Sequence, residues 1–283
     1  MRSSNRSRNM RELVSTVSRD LGVDRNEAEL ITAALLGRPR FELYLAGALE
    51  ERERRRVSSC VRKMKTGVPL EYLTGNVQFR DHELLINPGV FIPRSETEYL
   101  VERIERMMVR LPGTILEIGT GCGALSIALA SLYPDADVVA TDISVTAVRN
   151  ARQNVERRGL GSRIKIVQCD IYDGINGRFD LIVSNPPYIP RARLEELPRS
   201  VRDFEPYRAI DGGESGVQLI ERIINGSRAH LSAEGVMALE IDDEAVGPIK
   251  AIMKTNQIVS YSFHADQYGR WRYLFIGEVH EKS

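Results

Sequence analysis

The sequence predicts an α/β protein in which a doubly wound parallel sheet follows a small N-terminal helical bundle. Strand-like and helix-like segments alternate from residue 114 onward, which is typical of a parallel sheet with crossover helices. Helical periodicity with few β-branched runs fills the first 75 residues. The chain has 283 residues, enough for about two domains, and its 42% hydrophobic and 28% charged residues are ordinary for a globular protein.

Charge and cysteine content exclude several classes of protein. The 39 basic side chains equal the 39 acidic ones, so no general polyanion binder is indicated. Residues 1–65 carry 15 Lys and Arg against 9 Asp and Glu, and the remainder carries 24 against 30. Neither the three cysteines nor the histidines have metal-ligand spacing, so no metal site or disulfide framework is predicted. No apolar run could span a bilayer and no secretory signal is visible, which predicts a cytoplasmic protein without a membrane partner.

The N-terminal segment, residues 1–75, is predicted to form helices. Apolar residues recur at helical spacing from Leu13 to Leu21. Asp24 followed by Glu27 is the capping signal of a second helix. Gly67 ends the last helix of the segment.

Residues 76–94 change to short β-prone pieces, which predict a β-hairpin linker. Ser95 and Glu98 then have capping-box spacing, and Ser95 is predicted to cap a helix that ends before Pro112. The acidic run Glu240–Glu244 lies at the end of a predicted strand and is attributed to the start of the following helix rather than to a metal site, because helix N-termini attract acids. The series comprises strands at 114–118, 137–141, 163–168 and 180–184 with intervening helices, a helix at 217–230, a strand at 235–241, a helix at 244–254 and two final strands.

A glycine-rich turn directly follows the first strand of the series, before an apolar helix. Glycines there permit a tight turn and let a ligand approach the backbone. Asp142 follows the next strand, where a carboxylate can accept hydrogen bonds from ribose hydroxyls. The Gly-x-Gly-x-Gly spacing departs from the dinucleotide-binding pattern and resembles motif I of S-adenosylmethionine-dependent methyltransferases. The turn consists of Gly119, Thr120, Gly121, Cys122 and Gly123.

The run Asn185, Pro186, Pro187, Tyr188 follows the fourth strand of the series. In a sheet of order 3-2-1-4-5, strands one and four are neighbours, so both turns would line one crevice. The prolines fix the backbone, so the Asn185 side chain and the Pro186 carbonyl can both accept hydrogen bonds from a planar NH2 group, on which Tyr188 can stack. The run resembles the Asn-Pro-Pro-Tyr signature of methyltransferases that act on amide or exocyclic amino nitrogens. Such nitrogens are weak nucleophiles, so catalysis is expected to depend on orientation and hydrogen bonding, and no general base is identified.

Three further segments narrow the resemblance. Together with the two turns, Pro69–Gly75, Phe91–Glu98 and Ala209–Gly216 resemble the HemK/PrmC family, the protein-(glutamine-N5) methyltransferases that modify peptide chain release factors. The resemblance implies a Rossmann-like class I S-adenosylmethionine-dependent methyltransferase sheet, of strand order 3-2-1-4-5-7-6, within residues 95–283. It also implies that the helical domain, residues 1–75, helps recognise the release factor, with residues 76–94 as the β-hairpin linker.

The same resemblance implies roles for individual residues. Asn185, Pro186, Pro187 and Tyr188 would hold the glutamine of a Gly-Gly-Gln motif, with Asn185, Pro186 and Tyr188 as the catalytic residues. The cofactor would be S-adenosylmethionine, bound by Gly119, Thr120, Gly121, Cys122, Gly123, Asp142, Asp170, Ile171 and Asn185.

Two alternatives remain open. An adenine-N6 DNA methyltransferase could use the same four residues to hold the exocyclic amine of a flipped base. The acidic balance of residues 66–283 and the lack of a target-recognition segment disfavour direct DNA binding. The second alternative is a non-catalytic S-adenosylmethionine-binding protein, which predicts a damaged acceptor loop, whereas residues 185–188 are intact.

Overall fold

The computed structural model describes residues 2–45 and 49–279. The chain divides into two compact units, residues 1–76 with 198–204 and residues 77–197 with 205–283. No helix within the described ranges is both long and apolar enough to cross a membrane. The helices are α1 Arg2–Leu21, α2 Arg25–Leu36, α3 Glu42–Leu45, α4 Glu51–Lys65, α5 Leu70–Thr74, α6 Ser95–Met107, α7 Ala124–Leu132, α8 Val145–Arg157, α9 Arg199–Arg202, α10 Gln218–His230 and α11 Val246–Thr255. The strands are β1 Asn76–Phe79, β2 His82–Leu85, β3 Thr114–Ile118, β4 Asp137–Asp142, β5 Ile164–Gln168, β6 Phe179–Ser184, β7 Leu231–Glu240, β8 Tyr261–Ala265 and β9 Trp271–Ile276.

The first unit is helical, as the sequence predicts. Asp24 caps α2, since its carboxylate accepts a hydrogen bond from the Glu27 N–H at 2.9 Å. Segment 198–204 belongs to this unit because it packs on Gly67, where a side-chain carbon would lie only 3.2 Å from the Phe204 ring and 3.4 Å from Arg199 Cβ. The buried apolar core of the unit includes Leu13, Val14, Val17, Ile31, Leu35, Val57 and Val61.

The second unit contains a seven-stranded sheet of order β5-β4-β3-β6-β7-β9-β8. Counted from β3, this is the predicted order 3-2-1-4-5-7-6, with β9 antiparallel to both of its neighbours and the other pairs parallel. Four of the five residues of β3 are buried, as expected of a parallel strand that is covered on both faces. Ile118 and Ser184 are register partners at the ends of β3 and β6, and the Ser184 hydroxyl donates to the Ile118 carbonyl at 2.7 Å. The turns that follow these two strands therefore start side by side.

Apolar side chains from the sheet pack against α10 and α11 in one buried cluster. The apolar positions of both helices recur every three or four residues, which directs them to one side. The cluster includes Leu116 and Ile118 of β3, Ile182 of β6, Met237 and Leu239 of β7, Leu274 and Ile276 of β9, Ile220, Ile223 and Ile224 of α10, and Ile249, Ile252 and Met253 of α11.

Two buried asparagines of α8 hold the hairpin to the sheet domain. The Asn154 amide accepts from Leu85 N at 2.7 Å and donates to the carbonyls of Leu85 at 2.9 Å and of Cys122 at 2.8 Å. The Asn150 amide accepts from Asn87 N at 2.8 Å and donates to the Leu85 carbonyl at 2.9 Å. Both amides are buried and hydrogen-bonded, so they fix the hairpin to α8 and to the glycine turn.

The prediction that Ser95 caps α6 is wrong. Arg94 occupies the capping position, with extended backbone, and Ser95 is already the first helical residue. The Ser95 hydroxyl bonds instead to the Glu96 carboxylate at 3.1 Å. The carboxylate of Glu98, the other residue of the predicted capping box, accepts a hydrogen bond from the backbone N–H of Arg80 at the tip of the hairpin, at 3.0 Å.

Candidate active site

A cleft of about 680 Å³ lies at the carboxyl ends of the parallel strands, within the usual volume range of small-molecule sites. The structure brings most of the predicted site residues together there. Gly123, Pro186 and Tyr188 are predicted site residues that do not line it. Those that line it are Gly119, Thr120, Gly121, Cys122, Asp142, Asp170, Ile171, Asn185 and Pro187.

The glycine turn leaves room for a ligand against the backbone. Gly119 and Gly121 have φ of 77° and 58°, a region that favours glycine, and apart from the adjoining residues no protein atom lies within 4 Å of where their side chains would begin. The open space on these two residues suits close approach by a cofactor. Gly123 differs from these two glycines because it packs against another helix. A side-chain carbon there would lie 3.4 Å from Ala151 Cβ, so this glycine lets the start of α7 pack on α8.

Asp142 ends β4 beside this turn. One carboxylate oxygen accepts from the Gly121 N–H at 2.9 Å and the other from the Ser144 N–H at 2.8 Å. Burial raises the pKa of Asp142, although both backbone hydrogen bonds favour the ionised form. A carboxylate oxygen accepts more than one hydrogen bond, so Asp142 retains acceptor capacity on the cleft wall.

Glu117 is buried beside the turn and also lines the cleft, and sequence reasoning missed it. One oxygen of its carboxyl group accepts hydrogen bonds from the Thr120 hydroxyl at 2.7 Å and from Ser126 N at 3.1 Å, and also from the Ser126 hydroxyl. Burial raises the pKa of Glu117 to about 7. The group ties the turn to α7 from within, and the available signal was an acid in an otherwise apolar strand.

Asp170 and Ile171 lie on the cleft wall after β5. The Asp170 carboxylate forms an ion pair with Arg222 of α10 at 2.7 Å, and both side chains are partly exposed. Ile171 is buried and has φ of 53°, a rare conformation for a β-branched residue. Strained backbone of this kind is concentrated at functional sites.

The acceptor loop, residues 185–188, is held by a chain of side-chain hydrogen bonds. Asn185 Nδ2 donates to Thr97 Oγ1 at 2.8 Å, and the Thr97 hydroxyl donates to Glu240 Oε2 at 2.8 Å. The Tyr188 hydroxyl donates to the other Glu240 oxygen at 3.0 Å. Asn185 lies on the cleft wall, whereas Tyr188 is anchored behind it with its ring 5.9 Å from the Arg272 guanidinium carbon.

Sequence reasoning also missed Thr97 and Glu240. Glu240 lies in the predicted strand 235–241 at the start of the acidic run, and it is the last residue of β7 and fully buried. Asp242 is the residue of that run that caps the following 3-10 turn, through Glu244 N at 3.0 Å. Thr97 lies within the segment 91–98, so its position in that segment was the available signal.

The segment 209–216 packs against the acceptor loop and contributes Asp211 and Gly212 to the cleft wall. Gly212 N donates to the Ile189 carbonyl at 2.9 Å, and Ile189 pairs with Asp211 in a short parallel bridge. A side-chain carbon at Gly212 would lie 2.8 Å from two backbone atoms of Tyr188, and one at Gly216 would lie 2.6 Å from the Tyr188 carbonyl oxygen. Glycine at both positions therefore lets two backbone segments pack in direct contact.

The segment before α6 forms another part of the cleft wall, through Phe91 and Pro93. The Arg94 guanidinium lies over the Phe91 ring, 4.8 Å from its centroid, and pairs with the buried Glu205 carboxylate. The same carboxylate accepts from Ile92 N at 3.2 Å. Glu205 thus fixes this strip of backbone.

Comparisons with known proteins agree with this architecture. Two family models match the chain, Methyltransferase small domain over residues 82–196 and PrmC N-terminal domain over residues 17–75. Among solved structures, the chain is similar to the 16S rRNA N2 G1207 methyltransferase of T. Thermophilus in complex with AdoMet and guanosine. The TM-score is 0.53 at 20% identity, covering 72% of this chain and 49% of that one. This likeness shows the fold, which is the class I methyltransferase sheet.

Relatives found by sequence have higher identity to this chain than the solved structure above. The release factor glutamine methyltransferase of Rhodopirellula baltica is 37% identical over 241 residues, which cover 82% of this chain and 81% of the relative. The enzyme of the same name from Moorella thermoacetica is 37% identical over 239 residues, covering 82% and 84%. These matches confirm the HemK/PrmC resemblance. The chain therefore belongs to the release factor glutamine methyltransferases, with S-adenosylmethionine as its cofactor.

Proposed function

We propose that this protein methylates the N5 atom of the glutamine in the Gly-Gly-Gln motif of peptide chain release factors. The observation that carries the proposal is the Asn185 amide, which is held by Thr97 on the wall of the same cleft that contains the glycine turn. The names of the two sequence relatives support the release factor as substrate. When bound, S-adenosylmethionine supplies an electrophilic methyl group on a sulfonium.

The acceptor loop is proposed to orient the glutamine side chain. Because Asn185 Nδ2 is occupied by Thr97, its Oδ1 is the atom left to accept a hydrogen bond from the substrate NH2 group. Pro186 and Pro187 restrict the backbone of the loop, so the Asn185 amide is fixed relative to the cleft. A hydrogen bond from the substrate NH2 group to Oδ1 would orient the nitrogen for in-line transfer, and a weak nucleophile depends chiefly on such orientation for its rate.

Proton release after transfer needs no strong base in this scheme. The N–C bond forms as the S–C bond breaks, and the methylated amide nitrogen then loses its surplus proton to solvent. Three buried carboxyl groups lie in or beside the cleft, and all are engaged in hydrogen bonds: Glu117 with Thr120 and Ser126, Glu240 with Thr97, and Glu205 with Ile92 N. All three are therefore assigned to support of the cleft wall and its loops.

The test of the proposed function is methyl transfer from labelled S-adenosylmethionine to a purified release factor that contains Gly-Gly-Gln. Parallel reactions contain the Gln-to-Ala variant of the factor and adenine-containing duplex DNA. Label on the intact factor alone, with the methyl group placed on glutamine N5 by mass spectrometry, supports the proposal. Label on the DNA, or equal label on the Gln-to-Ala factor, refutes the substrate assignment.

Removal of the Asp142 carboxylate should weaken cofactor binding. In Asp142→Ala the dissociation constant for S-adenosylmethionine should rise about 10- to 100-fold, the scale of hydrogen bonds to a charged group. Isothermal titration calorimetry measures this directly. Glu156→Ala, an exposed acid on α8, is the matched control. Equal affinity in Asp142→Ala and wild type would show that Asp142 does not hold the ribose.

The first unit is proposed to contribute to binding of the release factor. It exposes large apolar side chains, Phe41 at 63% and Leu45 at 78% among them, and exposed apolar groups are common in protein-binding surfaces. Phe41→Asp should raise the KM for the factor about 5- to 10-fold, with kcat unchanged, if Phe41 is an interface residue of typical importance. Val259→Asp, at an even more exposed position of the second unit, is the control. An unchanged KM in Phe41→Asp would exclude this position from the interface.

A further inference from the structure

The orientation of the Asn185 amide follows from counting protons along its hydrogen-bonded chain. The Thr97 hydroxyl lies between Asn185 and Glu240, 2.8 Å from each, and has one proton to donate. An ionised Glu240 only accepts, so the Thr97 proton must go to it. The Thr97 oxygen then accepts, and the Asn185 group facing it must be the NH2 group. Oδ1 of Asn185 is thereby left for the substrate.

A protonated Glu240 permits the opposite arrangement. Its acidic proton can be donated to the Thr97 oxygen, which turns the Thr97 proton toward Asn185. The Asn185 amide can accept this hydrogen bond only if it presents Oδ1 to Thr97, and its NH2 group would then face the cleft. An NH2 group cannot accept the hydrogen bond of a substrate amide NH2 group, so this state would not hold the acceptor.

We propose that Glu240 is a positioning residue that sets the orientation of the Asn185 amide through Thr97, and that protonation of Glu240 switches the acceptor loop to a non-productive state. This inference rests on the proposed function of Asn185 and adds to it a residue that does not line the cleft. The relay needs no movement of the backbone, because rotation of one hydroxyl and one amide is sufficient.

The surroundings of Glu240 place its protonation within reach of neutral pH. The side chain is fully buried, and this burial raises the pKa of Glu240 to about 7, against hydrogen bonds from Thr97 and Tyr188 and the charge of Arg272, which favour ionisation. Burial and the neighbouring carboxylate keep the pKa of Tyr188 well above its usual value, so its hydroxyl remains a donor. The titratable and charged groups around the network are Glu96 of α6, Tyr188 of the acceptor loop, Asp242 after β7, and Arg272 and Tyr273 of β9.

The substitution Glu240→Gln tests the relay because glutamine has one acceptor and one donor where the carboxylate has two acceptors. The arrangement that satisfies every donor points its NH2 group at Thr97 and its oxygen at the Tyr188 hydroxyl. The reverse arrangement would leave the buried Tyr188 proton without an acceptor, which is costly. Glu240→Gln should therefore lock Asn185 in the non-productive orientation, lowering kcat about 100-fold, the scale of one lost orienting hydrogen bond. The affinity for S-adenosylmethionine should be unchanged.

A double-mutant cycle with Thr97→Val distinguishes the relay from a general structural role. Thr97→Val removes the hydroxyl, so Glu240 can no longer act on Asn185, and both amide orientations become available. The Glu240→Gln substitution should then cost less than about 3-fold in the Thr97→Val background, because contacts that act as one unit are not additive. The acid limb of the kcat profile near pH 7 should vanish in Thr97→Val and persist in Thr97→Ser, which keeps the hydroxyl. Equal losses in both backgrounds, or an acid limb that survives Thr97→Val, would overturn the proposal.

A readout that needs no methyl acceptor separates this inference from the proposed function. The side-chain NH2 signal of Asn185, assigned by its loss in Asn185→Ala, should change with pH near neutrality in 15N-asparagine-labelled wild type and Thr97→Ser. It should be independent of pH in Glu240→Gln and Thr97→Val. A pH-independent signal in wild type overturns the relay even if the enzyme methylates release factors. A pH-dependent signal with no methylation of release factors supports the relay and refutes the proposed substrate.

Discussion

Asn185→Ala should reduce kcat for methyl transfer to a release factor by about 1,000-fold, near the upper end of the effect of removing one oriented hydrogen-bonding group from an active site. The variant lacks the Oδ1 acceptor that we assign to the substrate amide. It also loses the Nδ2 contact with Thr97. The glycine turn and Asp142 are untouched, so binding of S-adenosylmethionine should remain measurable by calorimetry.

The matched control for this prediction is Asn176→Ala, which removes an exposed asparagine from a surface turn. Its kcat and cofactor affinity should equal those of wild type. Turnover that persists in Asn185→Ala would show that the acceptor loop does not hold the substrate amide. Loss of cofactor binding in Asn185→Ala would instead assign this residue mainly to the cofactor.

Gly212→Ala is expected to have the next largest effect, because one methyl group cannot be accommodated where two backbones touch. Its Cβ would lie 2.7 Å from the Gly216 carbonyl oxygen and 2.8 Å from Tyr188 Cα, and neither atom belongs to a flexible side chain. The acceptor loop must therefore shift, and a displacement of about 1 Å at a reacting group costs about 100-fold in rate. The overpacking should also lower the free energy of unfolding by about 1–3 kcal/mol.

The control for Gly212→Ala is Gly161→Ala. Gly161 has no protein atom within 4 Å of its would-be side chain and does not have positive φ. Its substitution should leave kcat unchanged and alter the free energy of unfolding by less than about 0.5 kcal/mol. Steady-state kinetics and urea unfolding measure both quantities. Wild-type turnover in Gly212→Ala would mean that the segment 209–216 does not position the acceptor loop.

Most of the fold could be predicted because it depends on local pattern. The alternation of strands and helices is legible residue by residue, and the parallel pairing of β3 with β6 then brings Gly121 and Asn185 to one cleft. Asp24 could be predicted as a helix cap for the same reason, because a cap depends only on the residues of its own helix. Ser95 had equally good spacing, but the conformation of Arg94 decided where α6 begins.

The support behind the cleft could not be predicted in the same way. Thr97 and Glu240 are 143 positions apart, and their hydrogen bond exists only because α6 packs near the end of β7. An acid in an acidic run is ordinarily solvated, so nothing local distinguishes Glu240 from Glu244. Burial, which is a tertiary property, makes the difference. The sequence motif identifies Tyr188 as a site residue, but it does not show where the side chain points. The Tyr188 hydroxyl is directed away from the cleft wall by its hydrogen bond to Glu240.

The buried amides of Asn150 and Asn154 determine where this chain can be recombined with other modules. A chimera in which a foreign recognition module is fused at residue 95 would discard the backbone groups of Leu85 and Asn87 that these amides bind. Each buried polar group left without a partner costs about 1–3 kcal/mol. A junction just before Val77 retains those partners, so the hairpin stays with α8 in such a graft, whereas segment 198–204 loses its packing on Gly67.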